Sequence, residues 1–329
     1  MPEAAAATAP DAATAERALA RLLEAELATP VPDAVAAMAD AIRARHGDAA
    51  RAVLFYGSCL RRGVVEGVLD YYLLVDDYAA AYGSRFLALL NRALPPNVFY
   101  VEIEHAGGRL RAKYAVFSQR DFAARAGGGP DARVWARFCQ PARLVWSRDD
   151  ASRADAVAAV LRATQTAAAQ MLAWLPGEAR EQRVEPASLW TRGFRATYGS
   201  ELRGEAGDTI DALYASQPQR YARVAALALA SDARFDVRAD GDALCVASDP
   251  AWRAAARRAW SLRRRAAKAL TFLGLLKTTL TFDDWVSYAL WKLERHSGRP
   301  VEVTERQRRH PFVYGWPVLY RLLRERTLR

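Results

Sequence analysis

The stretch Val53-Leu54-Phe55-Tyr56-Gly57-Ser58, followed after eleven residues by Asp70-Tyr71-Tyr72-Leu73-Leu74-Val75, decides how this chain is read. Two short apolar runs, over 52–56 and 68–75, have the length and composition of buried strands. The first runs straight into Gly-Ser. The second carries a carboxylate near its start. Elementary chemistry ties this pattern to phosphate and a divalent cation. Gly57 lets the backbone approach a polyphosphate closely. Ser58 adds a hydroxyl, and successive amides at such a turn form an anion-binding nest. Asp70 suits a Mg2+ ion that bridges phosphate oxygens. A plain turn and a structural Asp are the alternative reading of the same residues.

Working outward, Leu19, Leu22, Leu23 and Leu27 predict a helix over 15–28, and Asp33 is placed to cap a second over 34–45. Residues 78–94 read as helical, ended by Pro95-Pro96. Residues 98–104 alternate, and with a Gly107-Gly108 turn and a strand over 110–118 they predict a hairpin. A further strand is expected over 143–146. From 151 onward the pattern is mostly helical, over 151–175, 190–198 and 219–230. A small hairpin over 233–247 turns at Asp240-Gly241, and two or three basic helices follow between 250 and 329. The expected fold class is α+β (mixed α/β). The expected organisation is an Ala-rich tail over 1–14, a mixed domain over 15–150, a helical domain over 151–249 and a basic helical segment over 250–329.

Composition excludes several classes. The chain has 329 residues, 47 Lys plus Arg and 37 Asp plus Glu, for a net charge of +10. Residues 251–329 hold 18 basic and 6 acidic side chains, so the whole excess lies in the last quarter. Three widely spaced cysteines, Cys59, Cys139 and Cys245, argue against a disulfide framework. Four scattered histidines and no CxxC pair give no zinc motif. No uncharged apolar run is long enough to span a bilayer. The first 16 residues contain no basic side chain, which argues against a signal or transit peptide. The expected location is cytoplasmic.

Three blocks, in order over roughly residues 50–230, resemble the mitochondrial-type phosphatidate cytidylyltransferases (the translocator assembly and maintenance family) within the DNA polymerase beta-like nucleotidyltransferase superfamily. The first is Phe55-Tyr56-Gly57-Ser58 with Leu69-Asp70 and Val75-Asp76-Asp77. The second is Gly108-Arg109-Leu110 with Lys113-Tyr114 and Ser118. The third is Thr197-Tyr198-Gly199-Ser200-Glu201-Leu202-Arg203. The resemblance implies a nucleotidyltransferase domain and a partly winged-helix-like C-terminal region. It also implies a Mg2+-dependent reaction of CTP with phosphatidate that yields CDP-diacylglycerol and pyrophosphate, at the inner face of the cell membrane. It gives Asp70 to the metal and Lys113 to phosphate charge. Tyr56, Gly57 and Ser58 go to the triphosphate and Tyr114 to the base or sugar. Arg203 becomes a clamp for nucleotide or lipid phosphate, and Glu201 stands where the family has Asp.

The wider superfamily places a second acid two residues after the first; here that residue is Tyr72, and the lipid family also lacks the acid. Glu102, ahead of Glu104, is therefore expected to complete the metal site, with Glu201 as the other choice and an exposed strand face as the plain alternative. Asp76 is too far along the strand from Asp70 to share a metal, at about 20 Å. Asp76-Asp77 read as strand-end caps or structural contacts. The segment 257–268 packs six basic residues around Trp260 and Leu262. It reads as a helix drawn to an anionic membrane surface, where each basic residue contributes about 1 kcal/mol. A solvated helix face is the alternative. Nucleic acid is not an expected partner, because no nucleic-acid motif accompanies the basic stretch. His46, His105 and His310 read as exposed or loop residues, and Trp135, Trp146, Trp174 and Trp190 as core. Two other functions stay open: nucleotidyl transfer to a small molecule or RNA, and a non-catalytic nucleotide-binding module.

Overall fold

The computed structural model describes residues 11–129, 132–199 and 207–281. Two helices come first. In α1 (Ala12–Leu27), Asp11 caps Thr14 N–H, and Leu19, Leu23 and Leu27 form the buried stripe. In α2 (Asp33–Ala44), Val35, Met38, Ala39 and Ile42 face inward; Asp33 lies in the first turn and makes no capping hydrogen bond. Strand β1 (Ala50–Tyr56) leads into the short α3 (Ser58–Arg62), and β2 (Val68–Val75) follows. The helix expected over 78–94 is two, α4 (Tyr78–Tyr82) and α5 (Arg85–Ala93). Gly83 ends α4 in the left-handed region and Ser84 caps α5. Then come the hairpin β3 (Asn97–His105) and β4 (Gly108–Ser118), α6 (Gln119–Ala126), α7 (Arg133–Phe138) and β5 (Ala142–Ser147).

The five strands form one mixed sheet in the order β3-β4-β2-β1-β5, with only β2 and β4 parallel. Both faces are covered. Val53, Phe55, Tyr71, Leu73, Tyr114 and Val116 belong to the core beneath α2. Leu54, Tyr72, Leu74, Ala115 and Phe117 join the core formed with α1, α6 and α7.

The second half opens with α8 (Asp150–Trp174), which Asp149 caps through Ser152 N–H at 2.7 Å. Ala156, Ala159, Ala163 and Ala167 keep its buried side small, so it lies close to the sheet and to neighbouring helices. Strand β6 (Glu181–Val184), helices α9 (Pro186–Tyr198), α10 (Gly207–Ala215) and α11 (Pro218–Ala230), and strands β7 (Asp236–Asp240) and β8 (Ala243–Ala247) follow. β6, β8 and β7 make an antiparallel three-stranded sheet; β6 is not apparent in the sequence pattern. The last described element is one 32-residue helix, α12 (Pro250–Thr281). The fold is thus mixed α+β, with a five-stranded mixed sheet compatible with a nucleotidyltransferase-like domain.

One hydrophobic core runs from Leu19 through Trp135, Ala163 and Trp190 to Trp260, across residue 150. Trp260 is buried against Trp174, with ring centres 4.3 Å apart, so the tryptophan of the basic segment points inward and not toward a headgroup layer. Arg257 also turns inward, donating to the carbonyls of Ala173 and Gly177 at the end of α8. Arg258, Leu262 and Arg264 are exposed on the other side. Among the described residues, no helix is long and apolar enough to cross a membrane.

Candidate functional site

The site is built at one end of β1, β2 and β4. Tyr56, Asp70 and Lys113 stand side by side in register on three adjacent strands. Side chains alternate along a strand, so residues in one such row share a face of the sheet. At Gly57 the backbone leaves β1 with φ +96°, a conformation L side chains rarely adopt. A Cβ on Gly57 would also sit 2.7 Å from Asp70 Oδ2. Only glycine satisfies both conditions, and the result is a bare backbone turn pressed against a carboxylate. Helix α3 begins at the exposed Ser58, whose carbonyl accepts from Arg62 Nε at 3.3 Å. Cys59 anchors α3 to β2 through Val68 O, and burial pushes its thiol pKa up.

Asp70 is mostly enclosed, with 15% of its side chain exposed, and Lys113 Nζ lies 3.0 Å from Oδ1. The contact is an ion pair, and among the described residues no other partner is found for Oδ1. A carboxylate offers about four acceptor sites, more than one lysine takes up. Tyr56 lies beside it, packed edge-on against Tyr72 at 5.2 Å. Burial first, then the neighbouring Tyr72 and Asp70, hold the Tyr56 hydroxyl well above its usual pKa, so it stays protonated.

The donor set fits a Mg2+ ion held by one carboxylate with substrate phosphates completing the shell, the usual protein arrangement for that ion. Asp70 would supply the carboxylate. Among the described residues no cluster of three His, Cys, Asp or Glu exists that could hold a metal by itself.

Glu102 does not join Asp70. It shares the face, but it pairs in register with Arg111, two strands over and two residues along, roughly 12 Å away by strand geometry. Its oxygens are taken by Arg111 at 3.1 Å, Arg109 at 3.3 Å and Tyr100 at 2.5 Å. Glu104 is exposed and paired with Arg109. Tyr114 is also corrected. It follows Lys113 in the strand, so it faces the opposite side, 2% exposed and stacked on Phe99. Its hydroxyl meets His46 Nε2 at 3.2 Å, and His46 Nδ1 lies 2.9 Å from Ala81 O. A carbonyl only accepts, so Nδ1 carries the proton and Nε2 accepts from Tyr114. His46 is therefore a core residue, contrary to the loop expectation, and burial lowers its pKa. Tyr114 is unavailable to a base or sugar.

Asp76 and Asp77 behave as expected. Asp76 is bound by Arg148 and Arg51, which lower its pKa, and Asp77 caps α4 through Ala79 N–H. Of the third block, Thr197, Tyr198 and Gly199 are described; Glu201 and Arg203 lie outside the described residues, as do His296 and His310. Tyr198 is linked to α3, the helix that follows the Gly57-Ser58 turn. Gln140, which the sequence pattern does not single out, donates to Tyr198 OH at 3.0 Å and accepts from Arg61 of α3 at 3.3 Å. A separate cleft of about 520 Å³, lined by Arg180, Arg234, Phe235 and Ser248 among others, contains none of these residues.

Comparison with protein-family models finds no match, and none of the curated proteins matches the sequence.

Proposed function

We propose that this protein is a Mg2+-dependent nucleotidyltransferase that transfers CMP from CTP to phosphatidate, working at the surface of an anionic membrane. The observation that carries the nucleotidyl-transfer reading is the Gly57–Asp70 approach: a side-chain-free turn with φ +96° pressed against a mostly enclosed carboxylate whose charged partner is Lys113 at 3.0 Å. CTP and phosphatidate are taken from the three-block resemblance. The exposed arginines of α12 support the membrane side of the reading.

In this reading a phosphatidate oxygen attacks the α-phosphorus of CTP, a new P–O bond forms, and the bond to pyrophosphate breaks. Such a reaction is governed by positioning and charge neutralisation. Gly57 and Ser58 lay backbone amides and a hydroxyl along the triphosphate. Lys113 neutralises charge on phosphate oxygens beside Asp70. Asp70 would hold Mg2+, which would supply electrostatic stabilisation of the phosphate oxygens. Tyr56 walls the site on the β1 side as a neutral phenol.

The test is turnover of labelled CTP with phosphatidate vesicles and Mg2+. The expected result is lipid-extractable label with stoichiometric pyrophosphate, both lost in Asp70→Asn. Nucleotide binding without lipid product would move the acceptor to a small molecule or RNA. Absence of nucleotide binding would overturn the proposal.

A further inference from the structure

The side chain of Gln140 is only 5% exposed and has all three of its hydrogen bonds inside the protein. Its Nε2 donates to Ala136 O at 2.7 Å, which fixes the amide orientation because a carbonyl only accepts. The second Nε2 hydrogen goes to Tyr198 OH, 58 residues away in sequence. Oε1 receives Arg61, 79 residues away in the other direction. Gln140 sits there because β5 starts two residues later, with Ala142 paired to Tyr56. Its position is therefore tied to the end of β1, just before the Gly57-Ser58 turn. The backbone at this point is pinned as well: Arg220 donates to Cys139 O at 3.0 Å while forming a partly buried pair with Glu26.

Arg61 lies one turn into α3, with its N–H bonded to Gly57 O at 3.1 Å. Tyr198 is the last residue of α9. A side-chain amide can accept from a guanidinium through its oxygen and donate to a phenol through its nitrogen at once. We infer that Gln140 is a positioning residue that couples the Gly57-Ser58 turn, through Arg61, to the Tyr198 end of α9. An anion gripped at α3 is then felt at the helix from which residues 200–203 follow. The phosphate side of this statement rests on the proposed function. The mechanical coupling does not.

The experiment is a double-mutant cycle read by amide hydrogen exchange at residues 195–199 of the full chain. Arg61→Met is compared in the wild-type background and in Tyr198→Phe, which cuts the link on the far side of Gln140. Arg61→Met is expected to speed exchange there by roughly 2- to 10-fold, the range for one hydrogen bond. In the Tyr198→Phe background the same change is expected to have no effect. An equal effect in both backgrounds, or none in either, overturns the inference. A second arm adds CTP with Mg2+. Wild type is expected to gain protection at both 57–62 and 195–199, and Tyr198→Phe at 57–62 alone. Protection of 195–199 that persists in Tyr198→Phe also overturns it. If wild type shows no protection by nucleotide at all, the functional proposal fails, while the ligand-free cycle still decides the coupling.

Discussion

Asp70 and Glu102 lie on the same face of the same sheet and are comparably enclosed, at 15% and 28% side-chain exposure. They differ in what answers their charge. Glu102 is held by two arginines and a tyrosine hydroxyl. Asp70 has one ion pair, to Lys113 at 3.0 Å, and no other partner for Oδ1 among the described residues. A carboxylate held by three groups braces a strand edge. One held by a single lysine, facing a turn stripped of its side chain, has acceptor capacity left for a ligand. Burial alone does not separate the two roles.

The largest effect that would break this contrast is at Asp70 itself. Asp70→Asn is expected to lower turnover of CTP with phosphatidate by about 100-fold or more, while circular dichroism and melting stay near wild type. Gly57→Ala comes next. The added Cβ meets Asp70 Oδ2 at 2.7 Å, and φ +96° is strained for alanine. Strain of about 1–3 kcal/mol is expected to weaken nucleotide binding by about tenfold or more in a titration. Glu102→Gln is expected to change activity by less than about twofold and stability by no more than about 1 kcal/mol. A turnover loss at Glu102 as large as that at Asp70 would erase the distinction.

A separate effect, on stability rather than turnover, concerns a buried amine that faces backbone carbonyls. Lys277 of α12 donates to the carbonyls of Leu94 and Pro96, and burial, reinforced by Arg133 and Arg125, pushes its pKa down to about 7. The unfolded lysine titrates near 10.4. Between those values the unfolded chain binds the extra proton, so stability rises with pH from about 7 to about 10 and is flat below. Denaturant melts across that window should show the slope in wild type and its loss in Lys277→Met.

Much of this was legible in the sequence. The apolar runs flanking Gly57-Ser58 gave β1 and β2, and their lengths put Asp70 beside the turn. The alternation of a strand also carried a signal against Tyr114: neighbours in a strand point to opposite faces, so Lys113 in the site placed Tyr114 outside it. Glu102 was different. Its parity is compatible with Asp70, and only the order β3-β4-β2, with β4 interposed, separates them. Strand order is a long-range property that no local pattern encodes. Trp260 has an amphipathic neighbourhood fit for a membrane, yet Trp174 occupies the position that draws it inward. Gln140 is a lone amide in a loop, and its value arises only from what the fold brings to it.

The Arg220–Glu26 pair has a consequence for biosynthesis. Its partners are 194 residues apart, and Arg220 also holds the carbonyl of Cys139, the residue before Gln140. As the chain emerges from the ribosome, β1, β2 and the Gly57 turn are made early, but the clamp behind them arrives only with α11. Until then the apolar faces of α1 and α8 that α11 will cover stay open to water, and Glu26 waits without its cation. A chain released before residue 220 should therefore keep β1 and β2 yet be handled by the cell as an unfinished, aggregation-prone intermediate. The amino-terminal segment is a module in sequence but not in its folding.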